Sequence, residues 1–257
     1  MWKPDGWDSE FKLGVVAPHA DVGPEAEAQA ILAGHPVTVH GARVHFAPMH
    51  PGGHIDDKIA HDPVLRFIQP DVIDPTVESL SSAPLDAIGL AFTSSSFKIG
   101  AAGERDLLTR LARSSHGIRL VTTGTATVTA IQTLELTRIA VMAPSWFDDD
   151  LCGAGGSYFT EQGVDVVSVT PSGPPGGPLA ITPAATAEAV RALVARTKAR
   201  AVFIAGNGQR AIGAIDQIEH ELGVTALTAN QVLVWSCLEG IALRGRIKGY
   251  GRLFSFG

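Results

Sequence analysis

A short apolar run that empties into small, hydroxyl-bearing or glycine residues occurs twice in the chain. The copies are Gly89-Leu-Ala-Phe-Thr93-Ser94-Ser95-Ser96-Phe97 and Val202-Phe-Ile-Ala-Gly206-Asn207-Gly208-Gln209-Arg210. Each run has the length of a buried parallel strand, and each is followed by a helical pattern. A strand that turns directly into a helix presents free backbone N–H groups at its end, which is how α/β proteins hold anions. The repetition therefore constrains both the fold class and the place to look for a site.

Apolar runs alternate with helical patterns along the rest of the chain, as expected for parallel sheets covered by helices. The pattern predicts strands near Leu13–Ala17, Val37–Phe46, Ala87–Phe92, Leu120–Thr123, Arg138–Met142, Val164–Val169, Ala201–Ala205 and Thr225–Thr228. Helices are expected over Pro24–Ala33, Pro75–Ser82, Ala101–Ser114, Thr125–Leu136, Asp148–Gln162, Pro183–Lys198, Ala211–Leu222 and Ala229–Leu243. Four strands fall in each half, so the expected architecture is α/β with two similar lobes, each a four-stranded parallel sheet flanked by helices. Residues 1–123 with 229–257 would form the first lobe and 124–228 the second. The site is expected between them, beyond the carboxyl ends of the strands. The Pro- and Gly-rich connection Pro171-SGPPGGP-Leu179 reads either as a flap over that site or as a passive linker.

Composition removes several function classes. With 257 residues, a net charge of −6 and dispersed Lys and Arg, the chain offers no basic footprint, so no nucleic-acid partner is expected. The start MWKPDGWDSE lacks the basic-then-apolar organisation of a signal peptide, and no apolar run approaches the length of a membrane span, so the expectation is a cytoplasmic protein with no membrane partner. The two cysteines, Cys152 and Cys237, are far apart and belong to no metal-type cluster. Both read as buried structural thiols. Self-association as a homo-oligomer is left open.

Five segments match a known group in order: LGVVAPHADVGPEAE, GLAFTSSSFKIG, VTTGTATVTAIQTLELTRIAVMAPSW, VFIAGNGQRAIGAIDQIEHELGV and the tail GYGRLFSFG. Over nearly its whole length the chain resembles the arylmalonate decarboxylase and maleate isomerase branch of the aspartate/glutamate racemase superfamily. That resemblance implies two lobes related by a pseudo-twofold axis, a small carboxylate substrate between them, and no cofactor. It also implies cysteine chemistry, since a thiol is readily tuned to give up or deliver a proton near neutral pH. Carried over residue by residue, the two cysteine positions fall on Phe92 and Gly206. Neither can move a proton. Thr93 and Ser94 match the hydroxyl pair that holds the carboxylate or enediolate oxygens, with Ser95 and Ser96 adding donors on the same turn. The family's tyrosine at that hole falls at or beside Ser145, next to Trp146.

Other residues must then supply the acid or base. The first strand runs into Ala17-Pro18-His19-Ala20-Asp21, and Asp21 matches an asparagine that binds substrate carboxylate in maleate isomerases. An aspartate there repels a carboxylate unless protonated or paired, and His19 is close enough in sequence to be that partner. The alternative is that Asp21 caps the following helix and His19 is solvated. Seven of nine histidines precede Asp62, but His50, His54, Asp56, Asp57 and His61 follow no recognised ligand spacing, so no metal is expected. Gly206-Asn207-Gly208-Gln209-Arg210-Ala211 fits GxGxxA, yet no acidic residue closes the next strand, as a dinucleotide site requires. Gly206, Asn207 and Gly208 are better read as bringing backbone N–H groups to the substrate, with Asn207 adding a side-chain donor. The reading that results is a cysteine-independent lyase or isomerase, decarboxylase-like, acting on a small carboxylic or dicarboxylic acid. A non-catalytic carboxylate-binding or regulatory protein is the alternative.

Overall fold

The computed structural model describes residues 5–256. Residues 1–4, within the stretch read against a signal peptide, and residue 257 of the tail lie outside them. The first half contains β1 (Phe11–Pro18), α1 (Gly23–Ile31), β2 (Val37–Val44), a small hairpin of β3 (Met49–His50) and β4 (His54–Ile55), α2 (His61–Phe67), α3 (Pro70–Ser81), β5 (Ala87–Leu90), α4 (Thr93–Ser114) and β6 (Arg119–Thr122). The second half contains α5 (Thr123–Thr133), β7 (Arg138–Met142), α6 (Asp149–Thr160), β8 (Asp165–Thr170), α7 (Pro183–Thr197), β9 (Ala201–Ile204), α8 (Ile215–Leu222), β10 (Thr225–Thr228) and α9 (Ala229–Cys237).

The two large sheets have the orders β2-β1-β5-β6 and β10-β9-β7-β8, with every pairing parallel. Numbered within its own half, each sheet reads 2-1-3-4, so the halves share one topology. The central strands are apolar on both faces: Val15, Val16, Ile88, Val141, Phe203 and Ile204 are all buried, as strands covered by helices on both sides must be. Side-chain caps from Thr122, Asp148, Thr182 and Thr228 start α5, α6, α7 and α9, and Thr228 forms a full capping box with Gln231. Helices α5 and α9 each follow the last strand of a sheet, and they pack against each other. Equivalent helices meeting face to face is what a twofold relation between lobes produces.

Several boundaries differ from the pattern, each for a local reason. Helix α4 is broken at Gly100 (φ 68°, ψ 175°): its second part, from Ala101 to Ser114, is the expected helix, and an unanticipated helical segment over residues 93–99 precedes it. Helix α9 ends at Cys237 where Leu243 was expected, and Gly240 at φ 78° turns the chain shortly after. Helix α3 begins five residues earlier, with Pro70 in the first turn and Pro75 inside. A 3-10 turn, Ile212–Ala214, precedes α8. The β3–β4 hairpin and α2 were not anticipated. Among the described residues no helix is long and apolar enough to cross a membrane.

Candidate active site between the two sheets

The four central strands β1, β5, β7 and β9 end on one cleft. Their trailing residues Asp21, Thr93, Ser94, Trp146, Asn207 and Gly208 all line it. These are the points where strand order reverses in both sheets, the usual ligand position in open α/β folds. The cleft is narrow, with about 30 Å³ open to the centre of a water-sized sphere. One side is apolar. Phe46 and Phe92 pack edge to face with centroids 5.0 Å apart, and Phe67 stacks behind Phe92 at 4.0 Å. Met49, Ile55 and Ile59 come from the β3–β4 segment, and Phe147 and Pro178 from the second half.

The β3–β4 segment reaches across to the second half. Lys58 Nζ donates to the carbonyls of Ser145 (2.8 Å) and Phe147 (2.6 Å), and Ile59 N–H donates to the Trp146 carbonyl (2.9 Å). His61 Nε2 sits 2.9 Å from Asp148 Oδ2. The Pro171–Leu179 connection approaches from the other side: Pro178 lines the cleft, and Gly177 and Leu179 touch Ile55 and Gly53.

The hydroxyl-rich turn is placed as expected but used differently. Thr93 N–H and Oγ1 both donate to Asn207 Oδ1, at 2.9 and 2.7 Å. Ser95 Oγ returns to the Phe92 carbonyl (2.8 Å), and Ser96 Oγ donates to the buried Glu104 (2.5 Å), whose other oxygen accepts from Tyr158. Only Ser94 remains: neither its N–H nor its hydroxyl has a hydrogen-bond partner among the described residues, and it lines the cleft. Ser145 is corrected more fully. Its hydroxyl donates to the Pro174 carbonyl (3.1 Å) and does not line the cleft. Asn207 likewise supplies no side-chain donor to a ligand, because Nδ2 is committed to Asn230 Oδ1 (2.8 Å) and Thr123 Oγ1 (3.1 Å). Its backbone N–H and that of Gly208 have no acceptor among the described residues.

His19 and Asp21 do not form a pair. His19 Nδ1 accepts from Phe46 N–H (3.2 Å), its ring lies on His45 at 4.7 Å, and it does not line the cleft. Burial, then the neighbouring His45, Arg43 and His50, push its pKa down. Asp21 is 4% exposed. Oδ1 accepts from Gly23 N–H (2.9 Å), an Asx turn just ahead of α1, whose N-cap is Val22 without a side-chain cap. Oδ2 accepts nothing among the described residues and lies beside Gly208, where a Cβ would come within 2.9 Å of it. Burial raises the Asp21 pKa to about 6 against the opposing Gly23 hydrogen bond, with Glu25 adding repulsion and Arg43 attraction. Arg43 pairs with Glu25 Oε1 (2.8 Å) and donates to the carbonyls of Pro18 and Asp21, bracing this turn.

A family model for arylmalonate decarboxylase matches residues 68–254, most of the chain. The chain belongs to the arylmalonate decarboxylase family. An arylmalonate decarboxylase structure is 20% identical, with a TM-score of 0.71 over 96% of this chain and 100% of that one. The maleate isomerase Iso from Pseudomonas putida S16 is 19% identical, with a TM-score of 0.78 over 95% and 98% of the two chains. The Nocardia farcinica maleate cis-trans isomerase bound to TRIS is 18% identical, with a TM-score of 0.79 over 95% and 97%. At these identities the likeness is one of fold. No curated protein sequence matches the chain.

In this member of the arylmalonate decarboxylase family the two positions that the resemblance gives to cysteine are closed in different ways. Phe92 fills the first with a ring packed on Phe46 and Phe67. Gly206 holds φ 87°, and a Cβ there would lie 2.3 Å from Pro144 Cγ, so no side chain fits without moving backbone. Cys152 and Cys237 are buried and do not line the cleft; burial pushes their thiols up to about 11 and about 12. Sequence reading missed Glu27, Asn230 and Thr123, buried polar residues behind the cleft that are joined to Asn207 only by folding.

Proposed function

We propose that the chain is a decarboxylase-like lyase that acts without cysteine on a small carboxylic or dicarboxylic acid, with Asp21 holding the proton that the family resemblance assigns to a thiol. The observation that carries this reading is the Asp21 carboxyl: buried, raised to about 6, with one oxygen that has no partner among the described residues, at the cleft. At pH 7 about a tenth of such a group is protonated, and an incoming carboxylate raises it further by like-charge repulsion. Substrate binding and proton loading are thus coupled, which answers the repulsion that an aspartate here would otherwise cause.

Decarboxylation needs a sink for the electron pair left when the C–CO2 bond breaks. Ser94 N–H and Oγ and the backbone N–H groups of Asn207 and Gly208 are donors without acceptors among the described residues, around the same space, suited to the oxygens of the resulting enediolate. Asp21 then delivers its proton to the α-carbon and is reprotonated from solvent. The apolar side built from Phe46, Phe92, Met49 and Trp146 suits a departing neutral carbon dioxide and an apolar α-substituent. That wall favours decarboxylation over isomerisation of a fully polar diacid. The absence of a nucleophile at Phe92 and Gly206 is the one feature that favours the alternative, a carboxylate-binding member without turnover.

The two readings separate when carbon dioxide release and deuterium incorporation at the α-carbon are followed over a panel of α-substituted malonates, maleate and amino acids. Release and single-site deuteration with an apolar-substituted malonate are expected. Tight binding of a diacid with no turnover across the panel would leave the binding-protein reading in place.

A further inference from the structure

Behind the cleft a chain of buried polar side chains crosses between the halves twice. Glu27 on α1 is 7% exposed, and its Oε1 accepts from the backbone N–H groups of Ala211 (2.8 Å) and Ile212 (3.1 Å). Its Oε2 accepts from Asn230 Nδ2 (2.8 Å). Asn230 Oδ1 accepts from Asn207 Nδ2 (2.8 Å), and Asn207 Oδ1 accepts from Thr93 N–H and Oγ1. Asn230 and Asn207 are 2% and 5% exposed, so bulk water offers no substitute partners.

The chain has a direction. Burial pushes the Glu27 pKa up against the hydrogen bonds from Ala211, Asn230 and Ile212, but all three are donated to it, so Glu27 accepts at both oxygens, whereas a primary amide has one accepting and one donating end. Glu27 therefore turns the NH2 of Asn230 toward itself, which leaves the Asn230 oxygen for Asn207. That oxygen turns the NH2 of Asn207 toward Asn230 and its oxygen toward Thr93. Asn230 Nδ2 also reaches the Asn207 carbonyl (2.8 Å), which holds the same orientation. Ser94 follows Thr93 directly, so the anchored Thr93 decides where Ser94 points.

We propose that Glu27 and Asn230 are positioning residues that orient the Thr93–Ser94 turn through Asn207, and so set its affinity for a carboxylate across the lobe boundary. The inference rests on the reading of Ser94 as an anion donor for its functional consequence, but not for its structural one. Glu27→Gln keeps the shape and removes the direction. Whichever way the new amide turns, an NH2 faces either Asn230 Nδ2 or the backbone donors of Ala211 and Ile212. The mismatch is expected to pass to Thr93.

Two readouts keep the inference apart from the reading beneath it. In Glu27→Gln, hydrogen exchange at the Thr93 amide should accelerate about tenfold, while exchange at Val141 in the distant β7 stays at the wild-type rate. KM for phenylmalonate should rise about tenfold with a smaller change in kcat. If Glu27→Gln fails to fold, Asn230→Ala, which removes the link without opposing two donors, must give the same acceleration at Thr93. Unchanged Thr93 exchange in the folded variant overturns the proposal, as does equal acceleration at Val141. Faster Thr93 exchange with an unaltered phenylmalonate KM retains the positioning of Thr93 but overturns its effect on carboxylate affinity, and points to failure of the Ser94 reading instead.

Discussion

The turn after β5 and the turn after β9 occupy equivalent places in two sheets of the same strand order, yet they do different work. After β5 the chain enters α4 at once, so hydroxyl residues form a helical first turn in which Ser94 N–H has no acceptor among the described residues. After β9 it passes through Gly206, at φ 87°, and a 3-10 turn before α8 begins. The first turn brings a hydroxyl to the cleft. The second brings bare backbone and an amide that fastens the first turn from behind. The shared strand order brings both turns to one cleft, while the residues placed there make its two faces unequal. The asymmetry extends to proton chemistry, since neither turn carries an acid and the candidate comes from β1.

The comparison breaks most visibly at Asp21, which should matter to turnover far more than either turn. Asp21→Asn keeps the hydrogen bond from Gly23 N–H but has no acidic proton, and kcat for a turned-over malonate should fall by about 10²–10⁴-fold with KM little altered. Steady-state kinetics checks this. Ser94→Ala should lower kcat/KM by about 10²-fold, the usual effect of one lost oxyanion donor, measured on the same substrate. Gly206→Cys tests whether the second turn can be returned to the racemase pattern. The positive φ and the Pro144 contact should destabilise the fold by about 3 kcal/mol, read by urea denaturation. A variant of wild-type stability would mean that the backbone there is freer than described. Thr93→Ala removes one bond to Asn207 and should cost about 1 kcal/mol in the same experiment. Smallest of all, His19→Gln should leave kcat within about twofold, since its imidazole faces Phe46 N–H rather than the cleft.

These expectations also mark what was legible in the sequence. Strands Arg138–Met142 and Thr225–Thr228 have their expected bounds because fully buried parallel strands are bare apolar runs between polar neighbours. The repeat of four strands, and the strand ends that bear the site, were readable for the same reason. Of α4, the part after Gly100 was readable, but the helical segment over residues 93–99 was not, because consecutive Ser and Thr favour turns over helix interiors. The direction of side chains was less legible still. Four consecutive hydroxyls announce donors, but only folding decides that Thr93 faces Asn207, Ser95 its own turn and Ser96 Glu104. Glu27 carried no sequence signal, since its acceptor role depends on Ala211 and Ile212 arriving from the other half of the chain. Asp21 was given the wrong partner: Phe46 N–H and His45 hold the imidazole, and burial is the largest cause that raises the carboxyl.

Burial also gives Asp21 a pH signature. A carboxyl raised in the folded state holds its proton where the unfolded chain has lost it. The folded state therefore binds more protons between about 3.8 and about 6, and stability falls as pH rises through that window. Turnover that depends on the protonated form should fall as pH rises through about 6.

The most direct measurement is a carbon-13 NMR titration of the Asp21 carboxyl, assigned by comparison with Asp21→Asn, with and without phenylmalonate. The account predicts a midpoint near 6 for the free protein and a higher one with the ligand bound. A midpoint in the ordinary carboxylate range that does not move on ligand addition would contradict it.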